Sequence, residues 1–218
     1  MTKLTEIANA CGTDKGTIVG ECHGFTEFYD RYFREMKDRA IEEGRKISIL
    51  EVGIYHGESL KMFNEYFGNW ATVYGIDINL EQNQYWNERN IIGQVDANSR
   101  ESVESFLNQI GNIKFDIILD DASHIAQHQI HTLLYLHNSL RENGIYIIED
   151  LHCGLFFRQQ SPLYYLMFKD KLPFMTDEEN TDIEGIIDDV IIYANRNPKS
   201  AYDKQSVTSI IKFKKPEN

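Results

Sequence analysis

The sequence lacks any apolar run that approaches the roughly 20 residues a membrane-spanning helix needs. Residues 1–16 also lack the continuous apolar core of a secretory signal. Hydrophobic residues make up 42% of the 218 residues and charged residues 26%, a balance typical of soluble globular proteins. We therefore expect a single cytoplasmic domain with no membrane partner.

Cysteine and basic residues are also scarce. The three cysteines (Cys11, Cys22 and Cys153) are odd in number and lack a CxxC spacing, which argues against a disulfide scaffold and a structural zinc. Only 22 Lys and Arg face 34 Asp and Glu, giving a net charge of −12. Because a phosphate backbone is bound by clustered cations, we expect no nucleic-acid partner, although a small anionic or nucleotide-linked substrate remains compatible.

Short β-branched runs alternate with stretches of helical spacing. The runs lie at 46–52, 72–78, 115–119, 144–149, 189–194 and 206–214, with a shorter one at 91–96. The helical stretches between the first four runs lie at 59–67, 81–90, 99–111 and 125–141. The strands read as continuous apolar runs, as in sheets covered on both faces. Alternation of this kind implies right-handed crossovers and a parallel sheet.

The last two runs are separated only by the polar segment RNPKSAYDKQ, so they predict an antiparallel hairpin. The fold class is therefore α/β, a doubly wound, mostly parallel seven-stranded sheet with an antiparallel terminal strand. This arrangement is characteristic of the Rossmann-like class I methyltransferase fold. The expected parts are a helical extension or lid outside the core (1–44), a cofactor and metal core (45–154), a substrate cap (155–185) and the hairpin (186–218).

The turn after the first strand predicts a cofactor site. Gly53 and Gly57 let the backbone approach a ligand, and the helix that follows presents its N-terminus to a carboxylate. Asp77 ends the second strand, where it can accept hydrogen bonds from ribose, and Asp96 ends the third, where it can meet adenine. This order matches motifs I to III of S-adenosylmethionine enzymes. The assigned contacts are Glu51, Gly53, Gly57, Ser59, Asp77, Asp96 and Asp120.

Two other interpretations of this turn compete with a methyltransferase. A dinucleotide site also uses glycines and an acid, but the letters EVGIYHG lack the G-x-G-x-x-G pattern that brings a pyrophosphate against the helix. The two glycines could also do no more than shape a tight turn. The acids at the ends of the second and third strands favour the cofactor.

Two further strands end in acidic pairs, Asp120-Asp121 and Glu149-Asp150. Both ends lie at the same edge of a parallel sheet, and crowded carboxylates repel one another and are costly to desolvate. A divalent cation removes that cost, and oxygen ligands favour Mg²⁺ or Mn²⁺. We predict Asp121, Glu149 and Asp150 as metal ligands. Asp120 either caps a helix or lies near the cofactor.

His124 follows Asp121 by three residues, which is a suitable position for a general base beside the metal. A zinc site on His124 and His128 lacks a further Cys or His to complete it. His128 and His131 are therefore interpreted as structural, and His152 as a residue that could line the substrate pocket.

The segment DDASH at Asp120–His124, followed by IIEDL at Ile147–Leu151, resembles the D-D-G-S-H and E-D pairs of metal-dependent sugar O-methyltransferases of the macrocin and mycinamicin type. The stretch GTDKG at 12–16, with His23 and Tyr29, is similar to their N-terminal entry. The resemblance implies Mg²⁺ on the three predicted acids and His124 as base. It also implies that an N-terminal segment folds over cofactor or substrate, with Lys15 on the cofactor side and His23 and Tyr29 on the substrate side.

We therefore expect an S-adenosylmethionine- and Mg²⁺-dependent O-methyltransferase acting on a hydroxyl of a sugar or glycoside. Three alternatives stay open at this point. The acceptor could be a catechol-like diol or a phosphorylated capsule precursor, the protein could bind S-adenosylmethionine without catalysis, or it could be an NAD-dependent oxidoreductase. Assembly into a homo-oligomer is also left open.

Overall fold

The computed structural model describes residues 1–18, 22–83, 89–151, 176, 178, 186–196 and 205–214. Within them, seven strands form one sheet in the order β3-β2-β1-β4-β5-β7-β6. The strands are β1 (Ile47–Val52), β2 (Ala71–Asp77), β3 (Asn90–Gln94), β4 (Phe115–Asp120), β5 (Leu140–Ile148), β6 (Ile187–Arg196) and β7 (Gln205–Phe213). Strands β1 to β5 pair in parallel, and β7 runs antiparallel to both β5 and β6. The predicted fold class and terminal hairpin are confirmed.

Five helices surround this sheet in the described residues. They are α1 (Lys3–Cys11), α2 (Phe25–Glu42), α3 (Glu58–Phe67), α4 (Arg100–Gln109) and α5 (Ala126–Leu136), with short 3-10 turns at Gly68–Trp70 and His137–Ser139. Their ends follow local chemistry. The Thr2 hydroxyl accepts a hydrogen bond from the Thr5 amide at the start of α1, and Ser99 caps α4 in the same way. No helix in the described ranges is long and apolar enough to cross a bilayer.

Two predicted helix boundaries were wrong. Asn90, expected to end a helix, begins β3, and residues 84–88 of that predicted helix lie outside the described residues. The helix expected to reach residue 141 ends at Leu136, and β5 begins at Leu140. The first half of β5 carries polar, exposed side chains, so it has none of the apolar pattern by which a buried strand is found.

The N-terminal helices, expected as an extension outside the cofactor and metal core, form part of the helical layer on one face of the sheet. Leu4 of α1 and Phe25 and Phe33 of α2 are fully buried in one cluster with Ile47 and Ile49 of β1. Apolar residues recur along α2 at helical spacing, which gives the helix a continuous face to bury. The role of 1–44 as a lid stays a prediction, and the predicted cap at 155–185 falls almost wholly outside the described residues.

Asp116 of β4 links three strands at the amino-terminal edge of the sheet. Its carboxylate is 3% exposed, lies 2.8 Å from the Arg45 guanidinium and 3.4 Å from that of Arg141, and accepts the Ser48 amide at 2.9 Å. Because hydrogen bonds to a charged group contribute more than neutral ones, Asp116 stabilises the edge opposite the candidate site.

Replacing Asp116 with alanine should lower the free energy of unfolding by about 2 kcal/mol, since two guanidinium groups and one part-buried amide lose their acceptor. Guanidinium chloride unfolding followed by circular dichroism measures this change. Asp188→Ala removes the same charge from an exposed position of β6 and should change stability by less than about 0.5 kcal/mol. Equal effects of the two substitutions would contradict the assignment.

Candidate active site

The carboxyl ends of β1, β4 and β5 lie side by side, because these strands are neighbours in the sheet. The backbone hydrogen bonds between β1 and β4 and between β4 and β5 continue one residue beyond the ends of β4 and β5. The Asp121 amide donates to the Val52 carbonyl at 2.9 Å, and the Glu149 amide donates to the Asp120 carbonyl at 2.9 Å. The predicted acidic residues are thereby brought together at one edge.

A cavity of about 770 Å³ opens above this edge. Its walls are the turn after β1, the ends of β2, β3 and β4, the beginning of α5 and the N-terminal segment 12–15. The predicted site residues that line it are Lys15, Gly53, Ser59, Asp77, Asp96, Asp120, Asp121, His124 and Asp150. The others within the described residues do not line it: His23, Tyr29, Glu51, Gly57 and Glu149. His152 lies outside the described residues.

Asp77 shapes the turn after β1. One of its carboxylate oxygens accepts the amides of Ile54 and Tyr55 at 2.9 and 3.2 Å, and the other accepts the Asn79 amide at 3.0 Å. A carboxylate oxygen can accept more than one hydrogen bond, so room for a ligand hydroxyl remains. The predicted ribose contact stays a prediction, as does the adenine contact of Asp96, which is exposed at the cavity.

Gly53 is required by the packing of the chain as well as by its conformation. Its φ is +85°, and a Cβ atom there would lie 2.3 Å from the Asp121 carbonyl oxygen and 2.6 Å from the Ala122 Cα. The first glycine of the turn therefore admits the loop after β4, a contact that we did not infer from the sequence. Gly57, with φ of +91°, is the N-cap residue of α3.

Glu51 lies behind the cavity wall. It is fully buried, and one of its oxygens accepts the Ser59 hydroxyl at 2.6 Å. Burial raises its pKa to about 7, against the opposing effect of the nearby Lys15 ammonium. Glu51 can therefore act on a ligand only through neighbouring side chains.

Asp121, His124 and Asp150 form the cluster best placed to hold a metal ion. One potential ligand atom from each lies within 4.8 Å of the others. The His124 Nε2 is 3.1 Å from an Asp121 oxygen, and its Nδ1 is 3.5 Å from an Asp150 oxygen. His124 and Asp150 both adopt positive φ, at 56° and 54°, which is uncommon outside glycine and is found preferentially at functional sites.

Glu149, the third predicted ligand, is committed to other partners. It is 1% exposed and accepts the Tyr29 hydroxyl on one oxygen at 2.9 Å and the Lys15 ammonium on the other at 2.7 Å. The same ammonium forms a short contact with Asp121. Burial raises the pKa of Glu149. It acts in the same direction on Asp121, but the Lys15 ammonium and the His124 side chain together outweigh it and hold the Asp121 pKa below its usual range.

The structure shows where the predicted N-terminal site residues lie. Tyr29 is fully buried, with its hydroxyl 2.6 Å from the Thr208 hydroxyl, so it supports Glu149 from behind and is not exposed to a substrate. His23 stacks on Phe25 and lies 3.9 Å from Asp150, beside the cavity but not in its wall. The Lys15 side chain reaches the cavity, yet its ammonium contacts acids there, and its cofactor contact stays a prediction.

Several supporting residues were not found from the sequence. The Gln129 side chain of α5 donates to the Glu149 carbonyl at 3.0 Å, and Thr208 of β7 donates to the Ile148 carbonyl at 3.0 Å. Neither belongs to a local pattern, because each acts on a strand distant in sequence. His128 lies 2.9 Å from the Ser123 hydroxyl and His131 lies 2.7 Å from the Asn98 side chain, so both rings have partners within the protein.

Asp120 is the least compensated acid of the site. It is 1% exposed, and one oxygen accepts the Ala122 amide at 3.4 Å. Its other oxygen has no hydrogen-bond partner among the described residues. Burial, reinforced by the charge of Asp121, raises the pKa of Asp120 to about 7. Because Asp120 lines the cavity, a ligand bound there could form a hydrogen bond with this second oxygen.

Residues 50–151, which contain the cavity-forming strands, match a family model described as a methyltransferase domain. This chain carries a methyltransferase domain. The match runs from the last three residues of β1 through β5 and includes both acidic pairs, and it agrees with the class I fold of the sheet.

The methyltransferase domain has named relatives. The chain is 34% identical over 140 residues to demethylmacrocin O-methyltransferase of Streptomyces fradiae, covering 61% of this chain and 33% of that one. It is 33% identical over 142 residues to L-olivosyl-oleandolide 3-O-methyltransferase of Streptomyces antibioticus, covering 60% and 33%. The chain thus spans about a third of the length of these relatives. The resemblance indicated by the motifs is confirmed.

Among solved structures, the chain is similar to a methyltransferase from the mycinamycin biosynthetic pathway that was crystallised with Mg and SAH. The TM-score is 0.70 at 23% identity, and the likeness covers 97% of this chain and 55% of that one. At this identity the likeness establishes the fold.

Replacing Gly53 with alanine should destabilise the methyltransferase domain by more than about 2 kcal/mol, because the methyl group adds overpacking to the left-handed backbone strain. Gly111→Ala is the matched control. Its φ is +78° and no atom lies within 4 Å of the added Cβ, so it should show the backbone strain alone, about 1 kcal/mol. Urea unfolding measures both, and equal losses would show that the loop after β4 yields freely.

The raised pKa of Asp120 predicts a pH-dependent stability. In the unfolded chain this carboxyl ionises near pH 4, whereas in the folded protein its pKa is about 7. The unfolded state releases the proton first, so the contribution of Asp120 falls as the pH rises through this interval. Asp120→Asn should therefore raise the melting temperature relative to the wild type more at pH 8 than at pH 5.5.

Scanning calorimetry at the two pH values tests the Asp120 prediction. The exposed Asp188→Asn should give the same difference from the wild type at both. A parallel shift of the Asp120→Asn and wild-type curves would mean that Asp120 ionises normally in the folded protein.

Proposed function

We propose that this protein transfers the methyl group of S-adenosylmethionine to a hydroxyl of a sugar or glycoside, with Mg²⁺ (or Mn²⁺) as the metal. One observation carries the proposal: an imidazole, His124, lies between the carboxylates of Asp121 and Asp150 at the wall of a cavity that the methyltransferase turn also lines. The proposed cofactor site and the proposed base thus border the same cavity.

The residues of this edge suit a divalent cation. Asp121 and Asp150 contribute carboxylate oxygens within 4.8 Å of each other, and Glu149 lies next to both in the sheet edge. One Glu51 oxygen is buried behind the site without a hydrogen-bond partner in the described residues, 3.9 Å from the Lys15 ammonium. Because Mg²⁺ prefers oxygen over nitrogen, Asp121, Glu149 and Asp150 would hold it and leave the His124 ring for proton transfer.

The residues of the chain then have separate tasks. When bound, S-adenosylmethionine supplies the methyl group, and the cation lowers the pKa of the acceptor hydroxyl. His124 takes the hydroxyl proton on a ring nitrogen, while a carboxylate that accepts the other ring N–H fixes the tautomer and raises the basicity of the ring. The turn after β1, held by Asp77, positions the cofactor, and such positioning contributes much of the rate in favourable cases.

The acceptor class is supported by charge and by the relatives. Asp14, Asp121 and Asp150 line the cavity, and one divalent cation would not neutralise all three, so the cavity favours a neutral diol over an anionic acceptor. The name of one relative specifies O-methylation of an olivosyl-oleandolide. A neutral glycoside therefore fits better than a phosphorylated precursor.

The proposal is tested by incubating the protein with methyl-labelled S-adenosylmethionine, Mg²⁺ and a panel of glycosides, nucleotide sugars and catechols. Label should pass to a glycoside and stop after dialysis against EDTA. His124→Ala should lower kcat by about 100-fold or more, since general-base catalysis contributes this much. Its dissociation constant for S-adenosylmethionine, measured by calorimetry, should stay within about threefold of the wild-type value.

His137→Ala is the matched control, because His137 lies in the turn after α5 and does not line the cavity. It should leave kcat unchanged. Transfer to catechols alone would contradict a sugar acceptor and indicate a catechol. Turnover that persists after EDTA treatment and in His124→Ala would contradict the assignments of the metal and of the base.

A further inference from the structure

Lys15 places a cation of the protein's own in the middle of the acidic edge. The side chain is 2% exposed, and its ammonium contacts Asp121, lies 2.7 Å from a Glu149 oxygen and lies 3.9 Å from a Glu51 oxygen. Three acids from three neighbouring strands thus share one buried positive charge. Two of them, Asp121 and Glu149, are also the acids proposed to hold the metal.

The backbone of Lys15 is fixed where the side chain begins. Its carbonyl accepts the Thr26 amide at 3.1 Å and the Thr26 hydroxyl at 3.2 Å, which ties the segment to the first turn of α2. Beyond that anchor the side chain has four methylene groups and borders the cavity, so rotation about its own bonds could move the ammonium toward the cavity while the anchor stays in place.

A divalent cation and the Lys15 ammonium are alternatives at these oxygens. An ion bound to Asp121 and Glu149 would lie within a few ångströms of the ammonium, where like charges repel strongly in a buried setting. The Glu149 oxygen that faces Asp121 through Lys15 is the one at 2.7 Å from the ammonium, whereas the other oxygen accepts the Tyr29 hydroxyl. A metal ion shared by Asp121 and this Glu149 oxygen would therefore take the place of the Lys15 ammonium.

We propose that Lys15 is an internal competitor of the metal ion, so that the measured metal affinity includes the cost of displacing its ammonium from Asp121 and Glu149. This inference rests on the metal site of the proposed function. It assigns Lys15 as a positioning residue that compensates the acids while no metal is bound and weakens metal binding.

Titration of Mn²⁺ alone into the full chain, followed by electron paramagnetic resonance of the free ion, tests the inference. Lys15→Met keeps the length of the side chain and removes the charge, and it should bind Mn²⁺ at least about tenfold more tightly than the wild type. Lys15→Gln removes the charge but keeps an N–H donor, and it should change the affinity in the same direction. Damage to the fold would weaken binding, so tighter binding distinguishes competition from a structural role.

Lys46→Met is the matched control, since it removes the same charge from an exposed position before β1. Its Mn²⁺ affinity should stay within about twofold of the wild-type value. In the wild-type protein, acetylation of Lys15 followed by mass spectrometry should become faster when Mn²⁺ is added. Unchanged or weaker Mn²⁺ binding by both Lys15 variants would overturn the inference, as would unchanged acetylation of Lys15.

Failure of the inference and failure of the proposed function are distinguishable. Tighter Mn²⁺ binding by Lys15→Met together with no methyl transfer to any acceptor would retain the competition and refute the function. Methyl transfer by the wild type together with unchanged binding by Lys15→Met would do the reverse. Absence of Mn²⁺ binding by every variant would refute both the competition and the metal.

Discussion

Repulsion among buried carboxylates is the constraint on which the candidate site depends. The parallel pairing of β1, β4 and β5 brings Glu51, Asp121 and Glu149 to one edge, where Glu51 and Glu149 are buried and Asp121 is only 19% exposed. A fold that accepts such an arrangement must supply a cation. In this protein the Lys15 ammonium does so from the N-terminal segment, which explains why that segment packs against the sheet edge.

The site is held together from several sides of the molecule. Glu149 follows β5, yet its carboxylate accepts the Tyr29 hydroxyl from α2, and that hydroxyl also lies beside Thr208 of the C-terminal hairpin. Gln129 of α5 holds the Glu149 backbone from the opposite face of the sheet. Orientation of one acid therefore depends on elements from the whole length of the chain, and no single segment specifies it.

The sequence predicted what depends on local pattern and sheet edges. The mostly parallel sheet, the terminal hairpin and the meeting of Asp121 with Asp150 follow from periodicity and from the rule that parallel strands end together. Side chains that contact a strand distant in the sequence, such as Gln129 and Thr208, have no such pattern in the sequence. Lys15 was assigned to the cofactor by resemblance, and Tyr29 to the substrate, because a motif identifies a residue type without saying which way its side chain points.

Gly53 shows why a local sequence pattern and the contacts made across the fold can give different reasons for the same residue. A glycine after the first strand is expected in any nucleotide-binding turn, and the usual reason is close approach of a ligand. Here the atoms that exclude a side chain belong to Asp121 and Ala122. The same glycine thus joins the cofactor turn to the loop that carries His124, so the position of the proposed base is set partly from β1. The proposed cofactor turn and the loop that carries the proposed base therefore share one backbone contact, so we expect a change in either loop to displace the other.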